Sequence, residues 1–276
     1  MYKRQVLNNN GVIAIDMDEN KEYVILGKGV GFGKKVSQRF DKPEGCTTYR
    51  LEQETERGSA KELVKGIEPE YLEIADAILT ESQKVFGDSI DRGILFPLAD
   101  HISFAVARIR RNEQISNPLT EDIKVLFYSE FKVAETLKTI LRERLQIEID
   151  DHEVGYVALH IHSAIGDEKV SVAMQTARAV RECIDMIEKA TGKPIDVLSL
   201  SYNRLMNHMK YMVARASTGE KLNLDMNEYM LDQYPQAYKV ATDICKNLEG
   251  CIGHNLDETE TGYLAMHIQR VYKDAV

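Results

Sequence analysis

No apolar run in the 276-residue sequence approaches the roughly 18 residues of a membrane span, so membrane insertion is not expected. The first residues, Met1 to Asn10, lack the apolar stretch of a secretory signal. Cysteine is scarce. Cys46, Cys183, Cys245 and Cys251 show no CxxC spacing and read as reduced thiols of a cytoplasmic protein. No HExxH occurs, and no cysteine lies near His160 and His162, which leaves a metallohydrolase little support. What remains is a soluble, globular composition, 43% hydrophobic and 29% charged, in a chain long enough for two or three domains.

Nucleotide-binding loops are also missing. The segment Gly27-Lys28-Gly29-Val30-Gly31-Phe32-Gly33-Lys34-Lys35 suggests one but fits neither GxxxxGK[ST] nor GxGxxG. Its composition suits RNA better. Glycines allow close backbone approach, Phe32 offers a stacking face, and the lysines can meet phosphates. The bland alternative is a glycine-rich double turn with Phe32 in a small core and solvated lysines. Charge is uneven as well. Residues 1–50 hold nine Lys/Arg against six Asp/Glu, a net of +3, so the rest of the −9 chain carries −12. A basic head on an acidic body points toward a polyanionic partner.

Residues 5–7, 11–15 and 22–26 read as short strands separated by Asn-, Asp- and Gly-rich turns, with Asp18-Glu19-Asn20-Lys21 as a hairpin turn. They form a small antiparallel sheet, too small to be very stable alone, whose apolar face a dimer would bury. Residues 52–66 are polar and read as a linker reaching the first helix of the next domain. Beyond it, Leu72, Ala75, Ile78, Leu79 and Val85 keep helical spacing. So do Val133, Ala134, Leu137, Ile140, Leu141 and Leu145. Asp150-Asp151 can cap a helix bearing Val154, Val157, Ala158, Ile161 and Ile165 on one face. Asn117-Pro118 and Gly192-Lys193-Pro194 are breaks, and residues 166–169 read as an inter-domain link.

The chain repeats at an offset of 107. His101 and His160 are 59 residues apart, and so are His208 and His267. Residues 131–134 fall on 238–241, residues 153–161 on 260–268, and Arg108 on Arg215. Two homologous, helical domains follow, each carrying two matched histidines. Core packing rarely asks for an imidazole at equivalent places in two copies. Metal binding is the rival use. However, His160 and His162 point about 200° apart on a helix, and the equivalent of His162 is Gln269. No nucleophile-base-acid set accompanies the histidines, which suits a phosphoryl-accepting switch better than an active site.

Together these segments resemble the BglG/SacY/LicT transcriptional antiterminators over essentially the whole chain. The resemblance rests on Leu7-Asn8-Asn9-Asn10, residues 26–35, Asp100-His101-Ile102-Ser103-Phe104-Ala105 and residues 151–162. In the second copy it rests on Arg204-Leu205-Met206-Asn207-His208 and residues 262–271. It implies a small, dimeric, antiparallel β-sheet RNA-binding domain (1–56), followed by two homologous all-α helical bundles. These would be phosphotransferase-system (PTS) regulation domains, at 66–167 and 172–276. It further implies a homodimer that binds a leader-mRNA hairpin, prevents a terminator from forming, and answers to sugar through histidine phosphorylation. Asn10, Gly27, Lys28, Gly29 and Phe32 would touch RNA. His101, His160, His208 and His267 would accept phosphoryl groups from HPr and a sugar-specific enzyme II, with Arg108 and Arg215 as phosphate partners. No catalytic residue, metal or cofactor is expected. The alternatives are a DNA-binding activator with the same regulation domains and a stand-alone phosphocarrier or sensor. The strand-rich head, without a helix-turn-helix pattern, speaks against the first.

Overall fold

The computed structural model describes residues 2–17, 19–33, 39, 43–52, 54–55, 58–166, 169–196 and 199–274. They form two compact units: Met1–Asn117 with Ser129–Val170, and Pro118–Tyr128 with Ser171–Val276.

The first unit begins with a four-stranded antiparallel sheet in the order β1 (Tyr2–Asn8), β2 (Gly11–Asp16), β3 (Lys21–Leu26), β4 (Thr47–Arg50). β2 and β3 pair without interruption from Gly11↔Leu26 to Asp16↔Lys21, whereas β1 carries two register shifts against β2. The β-branched pattern of residues 11–15 and 22–26 accounts for the central pair. β4 was not anticipated. Val12, Ala14, Tyr23, Ile25 and Val30 form one buried cluster, with Val6 and Cys46 against it. Ile13, Val24 and Leu26, which alternate to the opposite face, are buried too. The chain therefore covers both faces of the central strands by itself, and an exposed apolar face gives no motive for dimerisation.

Residues 52–66 are more than a linker. They contain a short hairpin, β5 (Glu54–Thr55) and β6 (Gly58–Ser59), and a helix, α1 (Ala60–Gly66). Ser59 caps α1 by accepting from Glu62 N, and Ala60 and Val64 are buried.

The helices after α1 repeat with the sequence. α2 (Pro69–Phe86), α3 (Leu95–Arg110), α4 (Thr120–Leu126), α5 (Tyr128–Ala134) with α6 (Thr136–Leu145), and α7 (Asp151–Gly166) make the first set. α8 (Val170–Thr191), α9 (Leu200–Thr218), α10 (Asn227–Gln233), α11 (Pro235–Ile252) and α12 (Thr259–Asp274) make the second. α4 and α10 differ in position by 107 at both ends. α11 is continuous where the first copy breaks between α5 and α6, which the unbroken apolar spacing of residues 133–145 did not show. Leu72, Ala75, Ile78 and Leu79 of α2 are buried as expected, but Val85, in the last turn, is exposed. Asp150 accepts from the backbone of His152 and Glu153, the expected cap of α7. The breaks at 117–118 and 192–194 fall between helices. Residues 167–168 of the expected link lie outside the described residues, as does Asp18 of the expected hairpin turn. One segment crosses the expected domain division. Residues 118–128, with α4, belong to the second compact unit, where Asp122 accepts from the Tyr202 hydroxyl at 3.4 Å.

Candidate functional site

The glycine-rich turn folds back on the Asn9–Asn10 turn between β1 and β2. Gly27 N donates to the Asn10 carbonyl and Gly31 N to the Asn9 carbonyl, each at 2.9 Å. Asn10 Oδ1 accepts from Gly29 N at 3.0 Å, and Asn8 Oδ1 accepts from Asn10 N at 2.9 Å. Two glycines have plain reasons. Gly29 sits at φ +72°, and a Cβ on Gly31 would run into the Asn8 carbonyl oxygen. Val30 is the buried plug of the turn, while Lys28 and Gly29 are exposed. Phe32 is 71% exposed, so it is not the core residue of the bland alternative. Asn10, Gly27, Lys28, Gly29 and Phe32 thus come together on one loop surface. Lys34 and Lys35 lie outside the described residues.

The asparagine amides are already engaged. Asn8 Nδ2 donates to Glu73 Oε1 at 2.7 Å and Asn10 Nδ2 to Glu73 Oε2 at 3.2 Å. Glu73 stands on α2, with Arg144 at 3.6 Å from the same carboxylate. Nearby, Arg92 donates to the Tyr49 hydroxyl and to Asp76, and Tyr49 bonds Asp76 as well. The sheet is thereby tied to the helices of its own unit.

The histidines meet in pairs. His101 lies on the buried face of α3 among Leu98, Ile102 and Ala105, and His160 lies on that of α7 among Val157, Ile161 and Ala164. Their ring centroids are 5.3 Å apart. His208 on α9 and His267 on α12 stack at 4.9 Å. A tyrosine packs on each pair: Tyr156 at 5.7 Å from His101, and Tyr263 at 6.2 Å from His208. The aromatic residues three places after the first histidines, Phe104 and Tyr211, are exposed instead.

A carboxylate joins each pair. Glu153 Oε2 is 3.5 Å from His101 Nε2, and Glu260 Oε2 is 3.5 Å from His208 Nε2. Both glutamates are buried. Arg108 Nη2 donates to Glu153 Oε1 at 2.8 Å. Arg215 grips Glu260 with two bonds, Nε to Oε1 at 2.6 Å and Nη2 to Oε2 at 2.9 Å. The two arginines therefore hold glutamates here, and Arg108 keeps a buried Nε with no hydrogen-bond partner. Burial raises the Glu153 carboxyl, but His101 and Arg108 outweigh it and hold that group below the ordinary range. Burial, with His267 and Arg215 adding to it, pushes His208 down to about 3. Burial, followed by Arg270 and Arg204, pushes His267 down to about 4. The second pair is therefore neutral at pH 7.

Each cluster has five members, and all five obey the offset of 107: His101/His208, Arg108/Arg215, Glu153/Glu260, Tyr156/Tyr263 and His160/His267. The glutamates and tyrosines stood inside the matched segments without an assigned role, and the constant offset was the signal that could have found them. His162 pairs with the buried Glu130 at 2.9 Å, an arrangement confined to the first copy because residue 237 is alanine. Among the described residues, no group of three or more His, Cys, Asp or Glu is placed to hold a metal.

Known proteins carry the same parts in the same order. The CAT RNA binding domain family matches residues 1–58, and the PRD domain family matches 76–164 and 181–271. The GlcA/glcB genes antiterminator of Staphylococcus carnosus (strain TM300) is 30% identical over 270 residues, 96% of this chain and 93% of that protein. Transcription antiterminator LicT of Bacillus subtilis (strain 168) is 26% identical over 275 residues, 98% of this chain and 99% of LicT. The crystal structure of GlcT CAT-PRDI superposes with a TM-score of 0.52 at 28% identity, over 60% of this chain and 98% of that one. An RNA-binding domain at the head removes the DNA-binding alternative. The chain belongs to the BglG/SacY/LicT family of transcriptional antiterminators, RNA-binding proteins regulated through the sugar phosphotransferase system.

Proposed function

We propose that the chain, as a homodimer in the cytoplasm, binds a hairpin in the leader of a sugar-utilisation transcript and thereby excludes an overlapping terminator. The reading assigns RNA binding to residues 1–56 and regulation to 66–167 and 172–276. It makes the protein a non-enzymatic switch. Asn10, Gly27, Lys28, Gly29 and Phe32 form the RNA surface. His101, His160, His208 and His267 receive phosphoryl groups from a sugar-specific enzyme II and from HPr. The observation that carries the RNA half is an exposed Phe32 beside exposed Lys28 and a turn built on Asn10.

Phe32→Ala is expected to cost about 1–3 kcal/mol of hairpin affinity through lost stacking. Lys28→Ala should lower the salt dependence of binding by about one phosphate contact. Titration of the full chain with a labelled leader hairpin at several salt concentrations reads both. Unchanged affinity in the two variants sinks the assignment.

Glu73 competes for the same asparagines, because its carboxylate occupies one of the two amide hydrogens of Asn8 and of Asn10 and fixes their orientation. Glu73→Gln weakens that hold by exchanging a charged acceptor for a neutral one. The expected result is a gain of about 1 kcal/mol, roughly fivefold in hairpin affinity. Equal or weaker binding would mean that the Glu73 contact does not oppose RNA.

A further inference from the structure

The His–Glu–Arg arrangement recurs in both compact units with the same 3.5 Å approach of carboxylate to Nε2. In each unit that Nε2 is buried and has no hydrogen-bond partner. Glu153 Oε2, which faces it in the first unit, is likewise buried and unpartnered, whereas Glu260 Oε2 is held by Arg215. Buried polar atoms left so are uncommon and call for a reason. The arginines supply half of it. Each guanidinium fixes its glutamate, so the carboxylate is a rigid, charged neighbour of one particular ring nitrogen.

A neutral imidazole carries its proton on one nitrogen and a lone pair on the other, and the local field decides which. A lone pair turned toward a carboxylate at 3.5 Å is repelled, and an N–H turned toward it is attracted. We propose that Glu153 and Glu260 are positioning residues that hold His101 and His208 as Nε2–H tautomers, so that Nδ1 of each ring is the nitrogen that accepts a phosphoryl group. The second clause rests on the phosphoacceptor reading above, and the first does not.

The transfer balances without loss of a proton from the buried site. The Nδ1 lone pair attacks phosphorus on a donor phosphohistidine. The donor P–N bond breaks, and its electron pair returns to the donor ring, which carries a proton on its other nitrogen and leaves as neutral imidazole. The acceptor ring keeps its Nε2 proton and becomes a cation bearing the phosphoryl group. That cation then faces the glutamate, so the carboxylate stabilises charge where charge develops. The same logic explains why the arginine binds the glutamate and not the histidine: it fixes the orienting group and leaves the Nδ1 lone pair unengaged by the guanidinium.

The test has two readings on the full chain. In long-range ¹H–¹⁵N spectra of protein labelled in histidine, His101 and His208 should show a protonated Nε2 and a bare Nδ1. Glu153→Gln and Glu260→Gln should each shift the matching ring toward a tautomer mixture, because an amide can donate as well as accept. Treatment with phosphoramidate, which gives up its phosphoryl group with ammonia as the leaving group, should place phosphorus on Nδ1. Transfer should slow about 100-fold in the glutamine variants. A bare Nε2 in the parent protein, or phosphorus on Nε2, overturns the proposal, and neither result depends on the variants folding. If the tautomers are as stated and phosphoramidate labels neither ring, the glutamates' orienting role stands and the phosphoacceptor reading falls.

Discussion

Alanine at His208 or His267 is expected to reduce antitermination in a leader-terminator reporter, whereas alanine at His101 or His160 should leave it active without inducing sugar. The family resemblance implies the signs: a sugar-specific enzyme II would inhibit through the first domain, and HPr would activate through the second. The structure offers a physical reason for two signs. Arg204 stands one helical turn before His208, and Arg270 one turn after His267, on faces shared with the histidines. Both depress His267, as a nearby positive charge must. The equivalent positions in the first copy are Pro97 and Ser163. A phosphoryl group adds about −1.5 to −2 charges. In the second cluster it meets two extra cations and strengthens the packing around it. In the first, where Pro97 and Ser163 stand at those positions, it meets no such added cations, and the packing must change to admit it. A shift of a few kcal/mol in such an equilibrium is enough to turn a reporter from mostly off to mostly on. Aspartate at each site should move the reporter in the direction of phosphorylation, but less far, since it brings one charge. The measurement is reporter output with and without inducing sugar for the four alanine variants. Normal induction in all four would make the histidines structural.

The sequence shows some of this directly and hides the rest for identifiable reasons. The offset of 107 survives into three dimensions because insertions are absent between α3 and α12. A numerical coincidence of histidines therefore became a pair of five-residue clusters. Strands β1 to β3 were legible because alternating β-branched residues between Asn- and Gly-rich turns have few other uses. β4 was not, since Thr47-Thr48-Tyr49-Arg50 is a strand only by pairing with β3. The break between α5 and α6 was hidden by apolar spacing that runs on through it. Glu153 and Glu260, in the first turns of α7 and α12, look from sequence like ordinary complements to a helix dipole. Their bonds to Arg108 and Arg215 cross 45 residues, with α4, α5 and α6 between in the first copy and α10 and α11 in the second. Glu73 is 63 residues from Asn10, and no local pattern announces that contact.

Acid should unfold the second unit far more readily than carboxylate protonation alone would require. His208 and His267 sit at about 3 and about 4 in the folded chain, against roughly 6.5 in an unfolded one. The direction follows from proton counting. Below about pH 6.5 the unfolded state takes up protons on both rings while the folded state does not, so stability falls as pH falls through that window. The loss runs on until the folded pair itself titrates. Two rings stacked at 4.9 Å cannot both charge cheaply in a buried site that already holds Arg215. Moving from pH 7 to pH 5 should therefore cost the second unit about 2–4 kcal/mol. Urea unfolding of the full chain, followed by a probe in residues 171–276 at each pH, gives the number. His208→Gln and His267→Gln should each remove about half of the pH dependence, because a neutral amide has no proton to gain. A stability that is level between pH 7 and 5, or glutamine variants as pH-sensitive as the parent, would mean that the rings are already protonated or well solvated in the folded state. Protonated rings would lack the lone pair that the proposed phosphorylation of the second domain requires.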